Sequence, residues 1–218
     1  MNPNVVALAE IISALTTRVM SFAIVVKMDT ILDTLQILQK FVRNGKQNHK
    51  EIIMGNKINI YTDGSCSKNP GPGGWATLII YESKVTCLSG YEIESTNNRM
   101  ELIAVVEALK EIIKKCNKYK AFEIFSDSAY VVNSFKNRWM YNWKSNGWKT
   151  KNGRDVKNID LWKQSIKLLG MIKAKNPDCE IIFTKIKGHS GITYNEVVDR
   201  IAKEETLKAL KEKETNKK

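Results

Sequence analysis

The sequence predicts an α/β fold: a five-stranded mixed sheet flanked by helices, with a helical hairpin in front of it. Three observations predict this. From Lys57 onward, apolar runs of strand length alternate with stretches of helical spacing. Their order is strand, strand, strand, helix, strand, helix and then helix, strand, helix. Before Lys57 only helical spacing occurs, and the 218 residues suffice for one sizeable core plus an appendage.

The hairpin is expected over residues 1–45. Leu8, Ile12, Leu15, Val19, Phe22 and Val26 recur at steps of four and three, and Ile31, Leu35, Leu38 and Val42 repeat the pattern. Thr30 and Asp33 suit a capping box, and Asn44-Gly45 a stop. Two such helices carry more apolar surface than they hide from each other. They are therefore expected to pack on the following domain, on another protein or on a second copy, with a homodimer favoured. Glu10 and Arg18 interrupt the apolar stretch, which lacks the basic start and cleavage site of a signal peptide. No membrane span or secretion is therefore expected. Residues 46–56 read as a polar linker.

The main domain is expected over residues 57–211. "INIYTD", "GGWATLIIY" and "VTCLSGYEI" read as an antiparallel meander whose first strand ends in Asp63. Leu102, Val105, Val106, Leu109 and Ile113 define the first long helix. "AFEIFSD" is a fourth strand that again ends in an acid, Asp127, and a short helix starts at Ala129. After a tryptophan- and lysine-rich stretch come a helix around "IDLWKQSIKLLGMIKA", the strand "CEIIFTKI" and a last helix from Asn195. Residues 212–218, within "KEKETNKK", are expected to be a frayed, solvated charged tail.

A formal net charge of +12 favours a polyanionic partner such as nucleic acid over an acidic small molecule. The four cysteines form no C-x-x-C pair and have only two histidines to join them. That pattern argues against a zinc site and for reduced thiols inside a cell, in cytoplasm or nucleus.

Asp63 and Asp127 end strands that a mixed sheet of this order can place side by side. Glu101 lies near the start of the first long helix, and Asp199 lies in the last one, after the loop "KGHSGITYNE". Four carboxylates converging on one sheet edge repel one another unless a cation neutralises them, and all-oxygen ligation selects a hard divalent ion such as Mg²⁺. Singly, each acid has an ordinary reading as turn cap, helix-dipole partner or ion pair.

At this point the sequence resembles type 1 ribonuclease H. "TDGSCSKNPGPGGW", "TNNRMEL", "SDSAYV" and "KGHSGITYNEVVDRIA" match that family's blocks in order, from about Ile58 to Ala202. Residues 1–56 lie outside the resemblance. It implies a ribonuclease-H-like fold and a Mg²⁺-dependent endonuclease that cuts the RNA strand of RNA/DNA hybrids, leaving 5′-phosphate and 3′-hydroxyl ends. Asp63, Glu101, Asp127 and Asp199 become the metal-binding acids for two Mg²⁺ ions, with Mn²⁺ as the alternative, and His189 the loop histidine that helps products leave. Asn69, Asn97 and Asn98 match contacts to the hybrid's minor groove, where a 2′-hydroxyl marks ribose. Trp139 and Trp143 match the channel for the DNA strand, and Thr96 and Asn158 match residues that hold a DNA phosphate. Lys144, Lys149 and Lys151, interleaved with the tryptophans, suit phosphate neutralisation.

Two positions depart from the family pattern. Ala129 replaces a glutamine that makes one minor-groove contact, and Glu94 replaces an arginine of the phosphate pocket. An acid there repels phosphate unless a Lys or Arg from elsewhere rebuilds the pocket. A hybrid-binding protein without cleavage and a domain detached from a reverse transcriptase are the competing readings.

Overall fold

The computed structural model describes residues 57–81, 84–188 and 193–216. The expected hairpin over 1–45, the linker over 46–56 and His189 lie outside the described residues, and with them the expected dimer contact. The strands are β1 (Lys57–Cys66), β2 (Gly71–Tyr81), β3 (Lys84–Ser95), β4 (Ala121–Ser126) and β5 (Glu180–Lys185). The helices are α1 (Asn97–Lys115), α2 (Ala129–Lys136), α3 (Trp139–Ser145), α4 (Ile159–Lys175) and α5 (Thr193–Thr215).

The five strands form one mixed sheet in the order β3-β2-β1-β4-β5. β1 is antiparallel to β2 and parallel to β4, and β4 is parallel to β5. β1 is thus central, and its β-branched Ile58 and Ile60 are buried. α1 lays Leu102, Val105, Val106, Leu109 and Ile112 into the core. Trp162 of α4 and Phe122 of β4 are fully buried in the same cluster.

Two glycines show that helices cover both faces of the sheet. A Cβ on Gly64 would lie 2.2 Å from the Glu101 backbone nitrogen, so α1 rests directly on β1. Gly74 is opposite Ser65 in the β1–β2 register. It therefore faces the other way from Gly64, because neighbouring residues of a strand alternate. A Cβ there would lie 2.4 Å from Ala202 O of α5. α1 and α5 thus sandwich the β1–β2 pair.

Three details differ from the sequence expectation. Asp63 does not end its strand: β1 continues to Cys66, because Gly64, Ser65 and Cys66 pair with Trp75, Gly74 and Gly73. What ends near Asp63 is the parallel partner, whose pairing with β1 stops at Tyr61 and Phe125. The run "NPGPGG" reads in sequence as a turn that brings backbone close to a ligand, but its glycines belong to β2, which begins at Gly71, and at Gly74 the close approach is to the chain's own helix. Finally, α5 runs to Thr215, into the stretch expected to fray. Tyr91 donates to Glu212 at 2.6 Å and Lys213 to Glu94 at 2.6 Å, which pin the last turns to β3.

Candidate active site

Three elements bring Asp63, Glu101 and Asp127 together, and a fourth adds Asp199 to the lining of the same cleft. Asp63 leaves β1 just beyond the end of its pairing with β4, and its Oδ1 accepts from the Gly64 N–H at 2.8 Å. Glu101 enters from the first turns of α1, whose N-cap Thr96 accepts from the Arg99 N–H at 3.3 Å. Asp127 sits between β4 and α2. Ser126 Oγ accepts from the Ser128 N–H at 3.1 Å and Ser128 caps α2, so the junction is held on both sides. Gly188, after β5, passes so close that a Cβ would lie 2.7 Å from Asp127 Oδ2.

Ligand oxygens of Asp63, Glu101 and Asp127 all lie within 4.8 Å of one another. Asp63 and Glu101 are 5% and 4% exposed, too buried for water to screen their repulsion. Burial, followed by the charge of Asp127, pushes the Asp63 carboxyl up to about 7. Burial also raises Glu101 well above the usual carboxylate range, with Asp63 and Asp127 adding to it. Glu101 Oε2 is buried without a hydrogen-bond partner. An orphaned carboxylate oxygen beside two further carboxylates fits a hard divalent cation, which would satisfy all of these groups together. Asp199 of α5 lines the same cleft, and its Oδ2 accepts from Lys203 Nζ at 2.7 Å.

The expected nucleic-acid contacts surround this floor. Asn69 is exposed in the β1–β2 turn and accepts from the Asn97 N–H at 3.3 Å, which joins the turn to the start of α1. Asn97 lines the cleft and Asn98 is exposed beside it. Asn158, at the N-cap of α4, has a left-handed backbone with φ 57° and spends no side-chain bond on its own helix. Arg99 ties these segments together through Glu92 at 3.0 Å and Asp160 at 2.9 Å. Trp139 is exposed, whereas Trp143 is half-buried and meets the core Trp162 edge-on at 5.4 Å. Lys144 and Lys151 are exposed, as is Lys149, which pairs with Asp155 at 2.6 Å.

Sequence reasoning passed over Lys203 and Lys213. Lys203 carried a signal, since Asp199 and Lys203 are spaced as an i,i+4 ion pair. Lys213 carried none, because its partner Glu94 is 119 residues away. Glu94 is therefore not a bare acid, and Lys213 offsets its charge. Among the described residues no helix is long and apolar enough to cross a membrane.

Comparison with known proteins supports the same reading. A family model described as RNase H matches residues 55–206. Ribonuclease H of Acetivibrio thermocellus is 43% identical over 155 residues, covering 71% of this chain and 98% of the relative. Ribonuclease H of Caldicellulosiruptor saccharolyticus is 45% identical over 147 residues, covering 67% and 94%. Among solved structures, LC9-RNase H1, described as a type 1 RNase H with the type 2 active-site motif, superposes with a TM-score of 0.58 at 27% identity. That superposition covers 70% of this chain and 73% of the other. LC11-RNase H1 in complex with RNA/DNA hybrid gives 0.51 at 25% identity, covering 70% and 99%.

Proposed function

The chain belongs to the ribonuclease H family, and on that premise we propose that it is an endoribonuclease that cuts the RNA strand of RNA/DNA hybrids by two-metal-ion catalysis, leaving 5′-phosphate and 3′-hydroxyl ends. The observation that carries this reading is the trio of carboxylates within 4.8 Å, with the unpartnered oxygen of Glu101 among them. Asp63, Glu101, Asp127 and Asp199 hold the cations, with Mg²⁺ the natural choice beside phosphate and Mn²⁺ the alternative. When bound, such ions supply the charge that activates a water and neutralises the departing 3′ oxygen.

The chain's own groups do the rest. Asp63, beside Glu101 and Asp127, would help to hold both ions. Asn69, Asn97 and Asn98 present amides to the minor groove, where a 2′-hydroxyl offers both donor and acceptor and a deoxyribose offers neither. Trp139, Trp143, Lys144 and Lys151 receive the DNA strand, with Lys149 beside them in its pair with Asp155, while Thr96 and Asn158 hold one of its phosphates. His189 assists product release. The deciding experiment incubates the purified chain with labelled hybrid, double-stranded RNA and double-stranded DNA, with and without Mg²⁺. Cleavage confined to the RNA strand of the hybrid and to the Mg²⁺ samples is expected. Cleavage that persists in chelator, or binding without any cleavage, overturns the proposal.

A further inference from the structure

Asp199 stands apart from the acids it is expected to join. The three mutually close carboxylates are Asp63, Glu101 and Asp127. Asp199 lines their cleft, but one of its oxygens is held at 2.7 Å by the ammonium of Lys203, one helical turn further along α5. Lys203 lines the cleft as well. On a solvated helix face an i,i+4 pair is a weak local interaction. Here the acid also acts on the catalytic floor, because its charge helps to raise Asp63. The Lys203 side chain is 54% exposed and ends in a single rotatable charge, so it can leave Asp199 without unpacking anything.

We propose that Lys203 is a positioning residue that reserves Asp199: its ammonium fills, in the cation-free protein, the place of positive charge that a second divalent ion takes in the loaded enzyme. This rests on the metal reading above. Asp63, Glu101 and Asp127 then accept a first cation without nucleic acid. The second binding event must displace Lys203 from Asp199, and a bound hybrid favours this by offering the freed ammonium a phosphate. Lys203 thus links completion of the metal site to the presence of substrate and weakens binding of a second ion while the cleft is empty.

Calorimetric titration of the full chain with Mn²⁺ in the absence of nucleic acid tests this. Lys203→Met removes the charge and keeps the length, and Lys203→Gln serves as a second variant. Both should tighten the weaker binding event by roughly tenfold, since a like charge within ~4–6 Å disfavours a cation. Asp199→Asn should abolish that event, and adding Lys203→Met to it should change nothing further. The proposal is overturned if the Lys203 variants titrate like the parent, or if they tighten binding equally in the Asp199→Asn background, which would mean a general charge effect. A parent that binds no more Mn²⁺ than Asp63→Asn is a different result, because it sinks the metal reading itself.

Discussion

The acidic cleft and the basic, tryptophan-rich stretch around α3, the protrusion, serve the same proposed substrate but are built in opposite ways. The cleft takes its carboxylates from β1, α1, the β4–α2 junction and α5, so positions from Asp63 to Asp199 must fold together before it exists. The protrusion is one continuous stretch around α3, and its lysines and Trp139 are exposed. Its backbone takes left-handed steps at Arg138, Trp148 and Asn158, with φ of 56°, 64° and 57°. A site that must hold like charges together needs long-range closure and burial, whereas a surface that greets phosphates needs exposure. The cleft should therefore govern rate and pH response, and the protrusion affinity and salt response.

The largest expected effect tests that division directly. Asp127→Asn keeps the size of the side chain and removes its charge from the trio. Turnover should fall by at least ~100-fold, the scale of losing one preorganised electrostatic group. Affinity for hybrid should stay within a factor of a few. Single-turnover cleavage and equilibrium binding measured on the same preparation check both halves. Loss of binding in step with turnover would break the comparison, because it would make Asp127 a docking residue.

A second effect belongs to the cleft alone. The Asp63 carboxyl is raised from 3.8 to about 7 by burial and then by Asp127, and Glu101 is raised as well. In the unfolded chain such carboxyls ionise near pH ~4. From there up to pH ~7 the native state binds more protons than the unfolded one, so stability falls as pH rises through this window. Without divalent cation the thermal midpoint should drop across that range. Mg²⁺ should restore it above pH ~7 by taking the protons' place. Asp63→Asn should flatten the cation-free curve, and substitutions in the protrusion should leave it unchanged. A parent curve that is flat without cation would contradict the burial of charge on which the cleft is built.

How much of this the sequence showed follows the same contrast. The five strands and the long helices were legible because their periodicity is local. The four acids were legible because each sits in a recognisable block. The course of the chain around Asp63 was not. The glycines after Asp63 suggest room for a ligand, but Gly64 admits α1 and Gly74 admits α5, both from far along the chain. The end of α5 reads as a solvated tail for the same reason, since Tyr91 and Glu94, which hold it, lie on β3. In the protrusion, composition shows the basic and aromatic character but not its internal pairing. Nothing local predicts that Trp143 leans on Trp162. The Lys149–Asp155 pair joins two residues brought opposite each other by an isolated β-bridge.

That pairing sets the smallest effect. Changing Lys144 and Lys151 to alanine should flatten the slope of log affinity against log salt by roughly 0.7 to 0.9 for each phosphate that is no longer neutralised. Lys149 is a different case, although all three read alike in sequence. Its ammonium lies 2.6 Å from an Asp155 carboxylate, and both side chains are largely exposed. While Asp155 holds it, Lys149 neutralises no phosphate, so removing it costs no phosphate contact and only leaves a bare acid on the same surface. Such an exposed pair is worth only ~0–1 kcal/mol to stability, so the fold should not respond. The slope should change by less for Lys149→Ala than for Lys144→Ala, and by close to nothing for Lys149→Ala combined with Asp155→Ala. Titrations of hybrid binding at several salt concentrations distinguish these outcomes. If the double change instead flattens the slope as much as Lys144→Ala, Lys149 leaves Asp155 to bind phosphate, and the protrusion rearranges on its substrate as readily as the cleft exchanges its cations.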